Sequence, residues 1–108
     1  VVEALARNLG DEDEQVRMDV ARAIGSIASP NDVRVVDELV IRLQDDSPRV
    51  RGRVAEALGN VALPGNRCAA EALTPLLADD DDGARTAAEA AFRHLVPPGA
   101  PTSGFVQI

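Results

Sequence analysis

The chain has no lysine, no tryptophan and no tyrosine, and only one cysteine, one histidine and one methionine among its 108 residues. The lone Cys68 permits no internal disulfide and no cysteine-based metal site. Phe92 and Phe105 are the only aromatics, so a core has to be built from Ala, Val, Leu and Ile. No apolar run approaches the roughly 18 residues that a membrane helix needs, and no signal-peptide pattern opens the chain. Eighteen acidic residues face 11 basic ones, all of them Arg, for a formal charge of −7 and a pI near 4.5. That balance argues against nucleic acid or an anionic membrane reached through a broad positive field. What is present is a 45% hydrophobic content, enough for a packed core in one domain. The absence of lysine and the acidic runs at 11–14 and 79–82 fit a GC-rich genome, a salt-adapted surface, or both.

The chain repeats itself every 34 residues without insertion or deletion. Leu5 falls on Leu39 and Leu73, and Leu9 on Leu43 and Leu77. Asp11 matches Asp45 and Asp79, and Arg17 matches Arg51 and Arg85. Ala23, Ala57 and Ala91 coincide, as do Ile24, Leu58 and Phe92, then Ile27, Val61 and Leu95. Pro30, Pro64 and Pro98 close each copy.

Each copy reads as two helices. In the second, Val36, Leu39, Val40 and Leu43 have the i, i+3, i+4, i+7 spacing of one apolar helical face. Asp45, Asp46 and Ser47 are N-cap types, and Pro48 suits a first helical position. Val50, Val54, Ala57, Leu58 and Val61 then make a second apolar face, and Pro64-Gly65-Asn66 breaks the chain. A single hairpin cannot bury such faces alone, so the copies must stack. The expected fold is all-α: an α-solenoid of three stacked antiparallel helical hairpins. The repeats span about 1–32, 33–66 and 67–98, and a tail follows over 99–108.

The pattern Leu-x-x-x-Leu, Asp-Asp, Val-Arg, Ala-x-Ala-Leu-Gly resembles the HEAT repeat, in the short form related to phycobilisome lyase repeats. Residues 39–62 match best and 8–28 nearly as well. Residues 76–96 depart, with Ala84 in place of Val and Arg93 in place of the glycine found at Gly25 and Gly59. Tetratricopeptide repeats share the period, but their Trp and Tyr signature is missing. The resemblance implies that Asp11, Asp45, Asp79, Arg17, Arg51 and Arg85 form a structural ladder linking one repeat to the next. Carboxylates beside helix N-termini and planar guanidinium groups are suited to that role.

The resemblance also implies that the second helices line a concave surface. The residues there off the apolar faces include Met18, Asp19, Arg22 and Ser26, then Arg49, Gly52, Arg53, Glu56 and Asn60, then Thr86, Ala87, Ala90, Arg93 and His94. Arg22, Arg49, Arg53 and Arg93 are the candidate partner-binding anchors, because Arg is enriched at binding hot spots. The acidic turns at 11–14, 45–46 and 79–82 should line one rim. They lack the ligand spacing of a calcium loop and read as solvated caps, with docking of a basic partner left open.

No catalytic residue, cofactor site or metal site is assigned. The di-iron hydroxylases of the family use repeated His-Glu pairs, and one histidine cannot supply them. Cys68 is expected to be a small packed residue, His94 a favourable charge near a helix C-terminus, and Pro75 a bend in the first helix of copy three. The opening Val1-Val2 reads as a fragment or as a chain that pairs through its end. Self-association through the solenoid ends or the tail is therefore a further option. The expectation is a cytoplasmic, non-catalytic scaffold that binds a protein partner and neither nucleic acid nor membrane. The alternative is a lyase-type or accessory subunit of an enzyme complex.

Overall fold

The structure, a computed structural model, describes residues 2–96; the tail assigned to 99–108 lies outside the described residues. Among the described residues six α-helices alternate between two layers. The first helices of each copy are α1 (Val2–Arg7), α3 (Val33–Arg42) and α5 (Arg67–Leu73). The second are α2 (Glu14–Ile27), α4 (Pro48–Val61) and α6 (Asp82–Leu95). Within the second layer α2 packs on α4 and α4 on α6, while α3 lies between α1 and α5 in the other. No strand occurs among the described residues. The result is a HEAT-like α-solenoid.

Local chemistry sets where each helix begins. Asp13, Asp32, Ser47, Asn66 and Asp81 occupy the N-cap positions, and each side chain accepts from a backbone N–H of the first turn. Such caps satisfy amides that would otherwise have no partner. Pro48 takes the first turn of α4, where its missing N–H costs nothing. Pro75 acts differently from the expected bend. Helix α5 ends at Leu73, and the chain continues as a 3-10 turn over Thr74–Ala78 with Pro75 in its first turn. A proline there has no amide to continue the α-helical ladder, so the helix is shortened.

The core is aliphatic, with Leu9, Ile24, Leu39, Leu58, Leu73 and Leu95 all fully enclosed and no buried polar residue among those described. Cys68 corrects its expectation: it is exposed. It is the second residue of α5, and Ala69, Ala70 and Leu73 occupy that helix's inward face instead.

The tightest contacts between repeats lie where one second helix crosses the next. A Cβ placed on Gly25 would stand 3.1 Å from the Ala57 Cα, and one on Gly59 would stand 3.0 Å from the Ala91 Cβ. Glycine therefore faces alanine at both crossings, and any side chain would force the helices apart. Gly52 is looser, with its nearest neighbour, the Ala84 Cα, 3.7 Å from the same virtual atom. Gly59→Val is expected to cost about 1–3 kcal/mol by overpacking. Gly52→Ala is expected to stabilise by about 0.5–1 kcal/mol, because helical glycine is entropically unfavourable and the methyl has room. Urea denaturation of both variants checks the contrast; a Gly59→Val chain as stable as the parent would refute the crossing geometry.

Candidate functional site

The recurring Asp and Arg meet at one edge of the stack. In each copy the leading carboxylate first binds its own turn: Asp11 Oδ1 accepts from Asp13 N–H at 2.8 Å, Asp45 Oδ1 from Ser47 N–H at 2.9 Å, and Asp79 Oδ1 from Asp81 N–H at 2.9 Å. The arginine six residues on reaches back to the same turn. Arg17 Nη1 donates to the Asp11 carbonyl at 2.7 Å, Arg51 Nη1 to that of Asp45 at 2.8 Å, and Arg85 Nη1 to that of Asp79 at 2.6 Å. Two of these guanidinium groups also extend forward. Arg51 grips Asp79 through Nε at 2.8 Å and Nη2 at 3.1 Å. Arg17 reaches Asp45 through Nη2 at 3.2 Å, while its Nε lies 3.0 Å from the second carboxylate oxygen but off the hydrogen-bond axis. Ser47 adds a hydroxyl bond to Glu14 of the preceding copy. Arg85 instead pairs with Asp82 of its own turn.

These pairs are shielded. The Arg51 and Asp79 side chains keep 20% and 10% of their exposure, against 44% and 52% for the surface pair Arg53–Glu56, so salt screens them less. The bond from Arg51 holds the Asp79 carboxyl below its ordinary range, helped by the Asp81 N–H and opposed by desolvation. The same bond raises Arg51.

A second set of cross-repeat bonds runs along the opposite edge, in the breaker Pro64-Gly65-Asn66 and in the matching turn after Pro30. Asn31, with φ +57°, donates its N–H to the Val61 carbonyl at 2.6 Å, and its side-chain oxygen accepts from Asn66 Nδ2 at 2.7 Å. Gly65, 34 residues on and with φ +93°, donates to the Leu95 carbonyl at 2.9 Å. Asn and Gly are the residue types that tolerate this left-handed backbone. Their shared register after Pro30 and Pro64 was the available signal.

The second helices form a shallow groove. Met18, Arg49, Gly52, Arg53, Glu56 and Ala87 line one depression, with Asp81 at its end. Glu56, Gly59, Asn60, Ala87, Ala90 and His94 line the next. Glu56 and Ala87 belong to both, so the two are continuous. The floor is low because glycine and alanine build it. Arg49 is exposed and makes no hydrogen bond or ion pair among the described residues, whereas Arg53 pairs loosely with Glu56 at 3.3 Å.

The four anchor candidates therefore separate. Arg49 and Arg53 share the groove. Arg22 is exposed on α2 and lies outside the groove lining. Arg93 occupies the register position of Gly25 and Gly59; it is exposed on α6, lies outside the groove lining and pairs with Glu89 at 3.7 Å. No group of three or more His, Cys, Asp or Glu among the described residues is arranged to hold a metal ion. No helix among them is long and apolar enough to cross a membrane.

Because the folded-state pKa of Asp79 is depressed, its contribution is complete above the unfolded value near 3.9 and is lost as pH falls through the folded value. Asp79→Asn is expected to lower stability by about 1–2 kcal/mol at pH 7 and to flatten the decline below about pH 4. Asp80→Asn, at an exposed neighbour, is the control and should change little. Urea titrations between pH 7 and pH 2 measure both; equal profiles for the two variants would contradict the assignment.

A family model described as HEAT repeats matches residues 2–93, and comparison with curated proteins finds no match. The match covers most of the chain and the described architecture agrees with it: the chain belongs to the HEAT-repeat family.

Proposed function

We propose that this protein is a non-catalytic, cytoplasmic scaffold, one structural domain over residues 1–98, that binds a protein partner along the groove between α4 and α6. The observation that carries this reading is Arg49: an exposed guanidinium with no partner among the described residues, set above a floor of glycine and alanine and beside Arg53. Such a floor admits the backbone or small side chains of a partner segment, and the two arginines supply donors for its carboxylates. A rigid stack holds these groups before binding, so little entropy is lost on association. Arg22 extends the same surface toward α2. The ladder of Asp11, Asp45, Asp79, Arg17, Arg51 and Arg85 serves the spacing of the stack, and the partner does not use it.

The exposed carboxylates Glu12, Asp46, Asp80 and Asp82 offer a second surface, fitted to a basic partner. As an accessory subunit of an enzyme complex, the alternative role, the chain would use the groove in the same way and contribute binding without chemistry.

The test is affinity purification from native lysate at moderate and high salt. Arg49→Glu combined with Arg53→Glu is expected to release the partner, and raised salt to weaken its capture, because the anchors are exposed. Asp80→Asn with Asp82→Asn should leave capture intact. A partner released by the Asp changes and retained by the Arg changes would move binding to the rim. Capture of no partner by the unaltered chain would count against the scaffold role.

A further inference from the structure

The charge pattern of the groove comes from one helix. Along α4 the charged lining side chains run Arg49, Arg53, Glu56, and the uncharged Asn60 follows. On the facing side α6 contributes Gly83, Ala87, Ala90, Ala91 and His94, without a carboxylate or a guanidinium group. Asp81, at the end of the first depression, is committed as a cap to the Ala84 N–H at 2.9 Å. The groove therefore reads as two positive groups followed by one negative group.

These groups differ in how far they are satisfied. Arg49 has no partner among the described residues. Arg53 and Glu56 hold one another at 3.3 Å with both side chains largely in solvent, a contact that is exchanged at small cost. A carboxylate arriving between Arg49 and Arg53 gains two guanidinium groups and releases Glu56. Glu56, which belongs to both depressions, then repels a second carboxylate and attracts an ammonium or guanidinium group. The whole chain adds to that selection. Against its formal charge of −7, a segment carrying acids alone approaches a repulsive field, whereas one acid with one base is neutral and does not.

Helix geometry sets the spacing. Arg49 and Glu56 are seven residues apart on α4, about 10 Å along the axis at about 1.5 Å per residue. An extended chain covers that distance in about three residues at about 3.3 Å each. A helix, about 10 Å across, would rest on the exposed side chains of Arg53, Glu56 and Asn60 and leave the floor of glycine and alanine empty. An extended chain with small side chains between its two charges reaches that floor.

We propose, resting on the groove reading, that the partner segment is extended and carries an acidic residue over Arg49 and Arg53, a basic residue three positions away opposite Glu56, and small side chains between them. Glu56 sets this specificity.

The probes are dye-labelled synthetic peptides with blocked ends, read by fluorescence anisotropy against the full chain at low salt. The first, Gly-Asp-Ala-Gly-Lys-Ala-Gly, holds acid and base three positions apart. Two others replace its lysine by aspartate or its aspartate by lysine, and a fourth sets the acid–base pair seven positions apart in an alanine-rich helix. The acid–base peptide should bind at least about threefold more tightly than either like-charged peptide, the size expected of one exposed ion pair. Glu56→Lys should invert the preference, so that the two-acid peptide binds better than the acid–base one. Arg49→Glu should weaken every peptide that contains an acid. Both positions are exposed, and circular dichroism checks that the variants are folded. A two-acid peptide that binds as tightly as the acid–base one and ignores Glu56→Lys would overturn the role of Glu56; its weakening by Arg49→Glu would leave the groove standing. Tighter binding of the helical peptide would overturn the extended occupant. Binding indifferent to both substitutions would place the contact elsewhere and overturn the groove as well. A folded chain that takes none of the peptides at millimolar concentration would overturn this specificity, and capture from lysate then decides the groove by itself.

Discussion

The close crossing of one second helix over the next, with glycine against alanine, is the contact on which the rest of this structure depends. A chain nearly free of aromatics cannot fill wide gaps between helices, so cohesion has to come from short separations and many small contacts. Gly25 against Ala57 and Gly59 against Ala91 set that separation twice. The leucines and valines on either side then close into a core without polar residues among those described. The spacing also decides the ladder: an arginine held by its own turn carbonyl reaches the next carboxylate only when the following copy lies at that distance and register.

The polar edges work as a pair. On one, Arg17 and Arg51 tie turn to turn through charged hydrogen bonds. On the other, the amides of Asn31 and Gly65 tie loop to helix end through neutral ones. Held at both edges, consecutive copies cannot rotate freely about the glycine–alanine crossing. A surface spread over two copies, such as the groove between α4 and α6, therefore keeps its shape before any partner arrives. Part of the acidity of the chain is absorbed in this framework, because Asp11, Asp13, Asp45, Asp79 and Asp81 accept from backbone N–H groups at helix starts, where negative charge is favoured.

The repeat period, the helical class, Ser47 as a capping type and Pro48 as a helix opener were all legible from the chain alone. Each follows from local rules: apolar spacing reports helix faces, and cap and turn residues act on their immediate neighbours. The pairing of Arg51 with Asp79 spans 28 residues, and only the resemblance to a stacked family pointed toward it. Cys68 was misplaced because periodicity gives the orientation of a face only within about one residue at a helix start. Asn31 was missed because a residue in left-handed backbone reads as an ordinary breaker until the carbonyl that its N–H serves is in view.

Arg93 shows where reading the chain stops. Its side chain could be placed on a helix and its departure from glycine could be noticed, but the direction in which that helix presents it depends on which neighbour packs on which side. Local forces act through the backbone over a few residues and leave their mark in spacing. Which faces meet between copies, how closely, and which arginine is left facing solvent are decided only when the copies stack, since each of those depends on residues about 30 positions apart.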